Sequence, residues 1–527
     1  MSSQRASRVN RREFIRAGVA TSLLSLLPRS GVFAQSSASA ERPNVLFLFS
    51  DQHNATMTGY AGHPNMVTPA LDSLAAGGVR FDRAYCQDGV SCPSRTSMIT
   101  GQYPRTFGVY NNDLMQAPVL SRFTPLPRAF RQAGYYTFST GKRHVLVTCD
   151  TDWDYTAGTQ NIPTEVNRDT FHYVKWIASK GLTAQYKHDW AAEFGGAQGA
   201  APFTCRLSVL PPEATTEAFA AAQTIQFLRS DQAKKQPFLA WSTFYRPHQP
   251  YTPQKKYADQ VDYSSLKLPE TLSQNPDELP PGLKRFRELK NLPWDMGLAN
   301  EAEYRTYIGY YTALIHEIDD HIQSILDTLK EEGLADNTII IYAADHGDFV
   351  GNHGLVEKGA EWHNFYEDTL RVPLIVHWPA KISSGVNTDL VELVDVYPTL
   401  LGLCGVPAPS DYPLAGRDLS ETLLRHKPVG RQYVVSENWT QSCLIGDDFK
   451  YGQWLNCPAP KDDYRIWGDM LMQRSSDPHE KKNLIHDPAH TETLRQMRAS
   501  LAAWMDKTDD IGRREFFERK HLPYTKA

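Results

Sequence analysis

Three short runs of apolar residues stand out from an otherwise mixed pattern. They are Asn44-Val-Leu-Phe-Leu-Phe49, Phe238-Leu-Ala-Trp-Ser242 and Thr338-Ile-Ile-Ile-Tyr-Ala343. Each is continuous rather than alternating, which is how a strand buried on both faces reads in a parallel sheet. Between the second and third, Glu303 to Lys330 places Tyr307, Ile308, Tyr311, Leu314, Ile315, Ile318, Ile322, Ile325 and Leu329 at helical spacing, and Gly333 follows where a helix stop belongs. Strands alternating with long helices predict an α/β layered domain. Residues 150–215 and 250–300 are rich in Pro, Gly and polar residues with weak periodicity and read as long insertions over the sheet. After about residue 405 the apolar runs shorten around Pro407, Pro409 and Pro413. A smaller second unit is expected there, with strands at Tyr433–Val435 and Leu444–Ile445 and a closing helix over Thr491–Met505.

Each predicted strand runs into polar residues of one kind. The first ends in Ser50-Asp51-Gln52-His53, the last in Asp345-His346-Gly347-Asp348, and the middle one in Tyr245-Arg-Pro-His248-Gln-Pro250. Ligands in such sheets sit beyond the carboxyl ends of the strands. Singly, any of these is an ordinary polar loop. Together, acids and histidines at three strand ends predict one site.

Composition narrows the field. The chain has 527 residues, 41% hydrophobic and 11% aromatic, which excludes a disordered or collagen-like protein and fits a large domain with a smaller companion. Lys and Arg total 55 against 60 Asp and Glu, a net charge of −5, so the basic excess of a nucleic-acid binder is missing. No apolar run approaches the roughly 18 residues of a membrane span. Seven cysteines do not build a disulfide scaffold in so long a chain. Residues 1–34 read as an address: a basic stretch with the pair Arg11-Arg12, an apolar segment Ala17–Leu27, then Val32-Phe33-Ala34. This layout resembles a bacterial twin-arginine export signal, so the expectation is export by the twin-arginine machinery and a periplasmic or secreted mature chain beginning near Gln35.

The most informative stretch is Val90-Ser91-Cys92-Pro93-Ser94-Arg95, continuing to Thr100-Gly101. Pro93 suits a first helical turn and Gly101 a helix end, which puts Ser91 near a helix N-terminus. Free N–H groups there favour an anion, and Arg95 adds a guanidinium fork for its oxygens. Ser91 is then a nucleophile toward a sulfate or phosphate group, or simply the residue that caps the helix. These residues alone leave both readings open.

The same segment resembles the signature of the formylglycine-dependent sulfatases of the alkaline phosphatase superfamily: Cys or Ser, any residue, Pro, Ser, Arg, then Thr-Gly. In that register Ser91 is the position oxidised to formylglycine, and Cys92, abutting the proline, is not. The likeness continues in order along the chain. Pro43–Asp51 resembles the family's opening strand and metal loop, and Thr68–Phe81 its first helix and following strand. Thr140-Gly-Lys-Arg-His144 is similar to its Gly-Lys-Trp-His segment, with Arg143 in place of the Trp. Ala344-Asp-His-Gly347 through His353-Gly and Lys358-Gly359 resembles its second metal and sulfate loop, and Arg371–Val376 with Asp477-Pro-His-Glu480 its closing elements. The resemblance implies an alkaline phosphatase-like fold, a large mixed, mainly parallel sheet sandwiched by helices over residues 43–405, with a smaller C-terminal α+β domain over 406–527.

The resemblance also implies roles. Asp51, Gln52, Asp345 and His346 would hold a divalent cation, Ca²⁺ first and Mg²⁺ or Mn²⁺ as alternatives. Two departures stand out, since many relatives carry Asp where Gln52 stands and Asn where His346 stands, and imidazole suits calcium poorly. Ser91, as formylglycine made by a separate maturase, would attack sulfur through its hydrate. Arg95 would polarise the sulfate, Lys142 and His144 would orient the nucleophile, and Lys358 and His248 would contact the sulfate, with His248 protonating the leaving oxygen. Asn111, Asn112, Asp113, Arg246, His353, Trp362 and His363 flank these segments and are candidates to line a pocket for a sulfated saccharide or small molecule. Two other readings compete: a phosphomonoester, phosphodiester or phosphonate hydrolase using Ser91 on the same scaffold, and a non-catalytic binding protein that kept the fold.

Overall fold

The computed structural model describes residues 42–112, 122–145, 152–158, 172–194, 205–288, 300–359, 364–455 and 468–519. The segment read as an export signal, Asp113, Trp362 and His363 lie outside them.

All three apolar runs are strands, and all sit side by side. The main sheet has eight strands: β1 (Asn44–Asp51), β2 (Val79–Phe81), β3 (Tyr136–Gly141), β4 (Tyr155–Gly158), β5 (Phe238–Pro247), β6 (Thr338–Ala344), β7 (Leu374–His377) and β8 (Gly385–Asn387). Their spatial order is β8-β2-β7-β6-β1-β5-β3-β4, and within this sheet β7 runs against its neighbours while the other pairings are parallel. The sheet is therefore mixed and mainly parallel.

The continuous apolar character of β1 follows from what covers it. Every residue of the strand is buried. Val45, Phe47 and Phe49 point to one face and pack with Met98, Ile99 and Trp241. Leu46 and Leu48 point to the other and pack with Leu71, Leu74, Phe227, Ile318, Ile322 and Ile325. Helices thus close both faces: α1 (Pro69–Gly77), α3 (Thr216–Leu228) and the long α4 (Glu301–Glu331) on one, α2 (Ser91–Thr100) on the other. Helix α4 matches the periodic stretch read from sequence within a residue or two at each end, with Asn300 capping Glu303 N–H at 3.1 Å.

The C-terminal segment forms a four-stranded antiparallel sheet in chain order: β9 (Val434–Glu437), β10 (Gln441–Ile445), β11 (Phe449–Trp454) and β12 (Met470–Gln473). Helix α5 (Thr491–Lys507) lays Leu501, Trp504 and Met505 against Val435, Leu444, Tyr451 and Leu471. This is the expected smaller α+β unit.

One expectation fails. The stretch 150–215 is not merely loop, since it contributes β4 and two helices, His172–Ser179 and Thr183–Phe194. Their apolar residues are largely aromatic, and Tyr173, Ile177, Tyr186 and Trp190 pack with Phe219 in a small satellite cluster rather than in the sheet core. Such short helices leave too few turns for periodicity to register. Among the described residues, no helix is long and apolar enough to cross a membrane.

Candidate active site

Four neighbouring parallel strands, in the order β6-β1-β5-β3, deliver their carboxyl ends to one edge of the sheet. From β6 come Asp345 and His346, from β1 Asp51 and Gln52, from β5 Tyr245 and the turn to His248, and from β3 Lys142 and His144. Ser50 lies opposite Ala344 in the parallel ladder, so the two aspartates leave their strands side by side. Close backbone approach makes this edge possible. A Cβ on Gly141 would sit 1.7 Å from Thr243 O, and one on Gly347 1.9 Å from Asp368 O.

Helix α2 brings the remaining groups. Its N-cap is Val90, with no side-chain cap, and Gly101 ends it in the left-handed conformation at φ 66°. Ser91 is therefore inside the first turn. Its Oγ lies 3.3 Å from both Asp51 carboxylate oxygens and 2.9 Å from His346 Nε2. The capping alternative is thereby excluded, because the hydroxyl points away from the helix backbone. Cys92 next to it is fully buried, and burial pushes its thiol up to about 12, which removes it as a competing nucleophile.

The polar groups interlock. Arg95 donates from Nε to Asp345 Oδ2 at 2.6 Å, from Nη2 to Asp51 Oδ2 at 3.0 Å and from Nη1 to Lys142 O at 2.6 Å. Lys142 Nζ stands 2.5 Å from Asp51 Oδ2. Burial alone would raise the Asp51 carboxyl, but the charges of Lys142 and Arg95 pull it well below the usual carboxylate range. Asp345 Oδ1 accepts the backbone N–H groups of Gln52 and His346, each at 3.0 Å. His346 Nδ1 faces Gly347 O at 2.9 Å, and a carbonyl only accepts, so Nδ1 carries the proton. The Nε2 lone pair is left facing Ser91 and the aspartates.

Asp51, Asp345 and His346 offer ligand atoms within 4.8 Å of one another, all buried. Two carboxylates and an inward imidazole lone pair suit a divalent cation, so the residues fit the ion expected from sequence. Gln52, with φ 64°, meets the site differently: its Oε1 accepts from Lys358 Nζ at 3.0 Å and its Nε2 donates to Asp348 Oδ2 at 2.7 Å.

A second group faces the same edge. His248 Nδ1 donates to Gln249 O at 2.8 Å, leaving the Nε2 lone pair toward Lys358 Nζ at 3.4 Å and Asp51 Oδ1 at 3.8 Å. Burial and the charges of Lys142 and Lys358 hold this imidazole well below its usual value, so it stands neutral. His144 is held down similarly, by burial and then Lys142 and Arg95. Lys358 also meets Glu357 Oε1.

The predicted pocket residues divide. Asn112 lies near the nucleophile, accepting the Cys92 N–H on its Oδ1 at 3.1 Å at the start of α2. Arg246 ties its own turn, reaching His248 O, Pro250 O and Thr252 Oγ1. His353 bonds Gln274 Oε1 through Nδ1 at 2.6 Å, sits edge-on to Tyr366 and lies 3.8 Å from Asp368 Oδ2, and these contacts do not tie it to the groups around Ser91. The chain turns through a left-handed residue at His353 itself. Two residues that sequence reasoning missed are Asp348, which gathers the hydroxyls of Tyr251 and Tyr307 behind the site, and Glu217, which holds the backbone at the end of β5. Asp348 carried a signal, as an acid three residues past Asp345. Glu217 carried none, since its partners lie 28 residues away.

The buried His353 gives a pH prediction. Burial, then His479, Arg287 and Lys481, lower it from 6.5 to about 3. The unfolded chain binds the proton first, so this group's stability is present above about 6.5 and lost as pH falls through about 3. Asp368, held up to about 8 by burial and Glu480, acts in the opposite sense. His353→Asn, compared with wild type in thermal melts from pH 7.5 to 4, is therefore expected to remove roughly 2–4 kcal/mol of acid destabilisation at the lower end. Parallel curves would show that His353 does not contribute.

Comparison with known proteins bears on the chain as a whole. The family model described as Sulfatase matches residues 43–406. The uncharacterized sulfatase YidJ of Escherichia coli is 27% identical over 482 residues, covering 89% of this chain and 88% of that protein. An N-acetylglucosamine-6-O-sulfatase of Bacteroides thetaiotaomicron is 26% identical over 416 residues, 73% of each chain. Among solved structures, a phosphonate monoester hydrolase of Agrobacterium radiobacter superposes with a TM-score of 0.73 at 20% identity, covering 88% of this chain and 96% of that one, and shares the fold.

Proposed function

The chain belongs to the sulfatase family of the alkaline phosphatase superfamily and is a sulfuric ester hydrolase, and from that premise we propose that it cleaves the sulfate ester of a carbohydrate to the alcohol and inorganic sulfate with residue 91 as nucleophile. The observation that carries this reading is the Ser91 hydroxyl, turned out of its helix into Asp51 and His346. The sugar sulfatase among the relatives supports a carbohydrate substrate.

Asp51, Asp345 and His346 would hold the cation, Ca²⁺, Mg²⁺ or Mn²⁺, which when bound supplies a Lewis acid for a sulfate oxygen. Formylglycine made from Ser91 by a maturase supplies a hydrated aldehyde, whose second hydroxyl lets sulfate leave without outside water. The chain's own groups do the rest. Arg95 bridges Asp51 and Asp345 and compensates their charge beside the nucleophile. Lys142 orders the nucleophile's surroundings through its contact with Asp51. The anionic sulfate is received by Lys358 and His248. Because His248 Nε2 is bare, it cannot give a proton to the leaving oxygen until it takes one, and the ammonium of Lys358 at 3.4 Å is the donor in reach. Lys358 is therefore the proton source at this edge, and His248 accepts a hydrogen bond from it. The N-terminal residues 1–34 support export through the twin-arginine route and work in the periplasm or outside the cell.

Hydrolysis of matched aryl sulfate and aryl phosphate by protein from its own cell tests the reading. A strong preference for the sulfate is expected; equal or greater phosphate turnover favours the phosphate and phosphonate chemistry found on the same fold. Removal of divalent cations by EDTA should abolish turnover, with recovery on adding Ca²⁺, Mg²⁺ or Mn²⁺. Lys358→Ala should lower kcat by about 10²-fold or more in a protein that still folds, with a lower melting temperature because buried Glu357 loses its partner. Unchanged turnover would remove the role given to it.

A further inference from the structure

We propose that Tyr245 is a positioning residue that couples Lys142 to His248, and that Glu217 fixes it in place through its backbone; this rests on the sulfatase reading of the site. The argument starts where β5 leaves the sheet. Its pairing with β3 stops at Thr243, and its register with β1 slips after Ser50, so that Asp51 lies opposite Pro247. Beyond that point the sheet has no regular partner for the N–H groups of Tyr245 and Arg246. Both donate to Glu217 Oε1 at 3.0 Å, and Thr216 Oγ1 donates to the other Glu217 oxygen at 2.7 Å. Glu217 lies in the first turn of α3 and is fully buried. A helix carboxylate thus continues the work of the missing strand neighbour.

The Tyr245 side chain then touches both groups that the chemistry uses. The Lys142 ammonium lies 4.9 Å from the ring centroid, within range of an attraction to the aromatic face. The His248 ring lies 5.0 Å away. The Tyr245 hydroxyl donates to Gln249 O at 2.8 Å, and His248 Nδ1 donates to that same oxygen at 2.8 Å. One carbonyl therefore receives two donors, and Tyr245 holds it where the imidazole must offer Nδ1–H and keep Nε2 bare. If the imidazole adopted its other tautomer, an N–H would point at the Lys358 ammonium and the hydrogen bond between them would be lost. Tyr245 was quoted in the sequence pattern only as a neighbour of His248. The structure gives it a task of its own.

Four variants and two readouts test this. Tyr245→Leu removes ring and hydroxyl, and Tyr245→Phe removes the hydroxyl alone. Glu217→Gln keeps an acceptor oxygen, and Glu217→Leu does not. The first readout is kcat and KM with an aryl sulfate. The second, independent of turnover, is the ¹⁵N ring spectrum of His248, assigned by difference from His248→Asn. Tyr245→Leu is expected to lower kcat by about 10²-fold with KM within about threefold, and to replace the single Nδ1–H tautomer of His248 by a mixture. Tyr245→Phe should lose less, and Glu217→Gln should stay within about threefold of wild type. Should Glu217→Leu fail to fold, the other three variants decide. The proposal is overturned if Tyr245→Leu leaves the His248 ring signal unchanged, or if it raises KM while kcat stays within about twofold. If the wild-type enzyme releases no sulfate, the functional reading fails instead, and the ring spectrum still decides the positioning claim.

Discussion

Ser91→Ala is expected to lose at least about 10⁴-fold in kcat while melting within about 1 kcal/mol of wild type. The activity loss is large because nothing nearby can replace the hydroxyl. Cys92 is the adjacent candidate, and its buried thiol, pushed up to about 12, is not a thiolate at working pH. The stability change is small because Asp51 keeps its stronger partners, Arg95 Nη2 at 3.0 Å and Lys142 Nζ at 2.5 Å, when the 3.3 Å contacts to Ser91 disappear. Steady-state kinetics and calorimetry on the same preparation separate the two effects. A variant that retained a tenth of wild-type turnover would remove residue 91 as nucleophile.

Arg95→Met should show a large stability effect. The guanidinium is completely buried, bridges Asp51 and Asp345, and lies 4.9 Å from the Phe49 ring centroid. Methionine fills the space of the stem but leaves two buried carboxylates facing each other with one fewer cation. Breaking a buried pair in this way costs about 3–5 kcal/mol, so the melting temperature in EDTA should fall sharply. The same carboxylates are the proposed cation ligands, and a cation that binds only the folded state restores stability by mass action. The deficit should therefore shrink as Ca²⁺ is added, while kcat remains lower by about 10²-fold because Asp51, Asp345 and the Lys142 backbone are no longer held together beside the nucleophile. Arg95→Lys should not rescue it, since one ammonium cannot meet Asp345, Asp51 and the Lys142 carbonyl together. A deficit that ignored added cation would separate the Arg95 cluster from the metal site.

Much of the fold was legible because its core strands announce themselves. A strand with helices on both faces reads as a continuous apolar run, as Val45–Phe49 of β1 and Ile339–Ala344 of β6 do. Helix α4 was legible because a long helix repeats its apolar stripe often enough to be counted. The short helices at 172–179 and 183–194 were not, since two or three turns repeat an apolar stripe too few times to be counted.

The site divides in the same way. Residues fixed by a strand end, such as Asp51 and Asp345, and those inside the Ser91–Arg95 motif could be named in advance. Gln52 could be placed but not oriented, because its amide is turned by Lys358 on one side and Asp348 on the other. His353 could be named from its place beside the metal loop, but its contacts with Gln274 and Tyr366 could not be read from sequence. Glu217 lay beyond reach, for its work begins only where two strands lose register.

The most direct test is the mass of the peptide that contains residue 91, taken from active enzyme made in its own cell. A side chain lighter than serine by two hydrogen atoms, in a fraction that tracks specific activity across preparations, is the predicted result. Full sulfate turnover from protein whose residue 91 is still a plain serine would contradict the account.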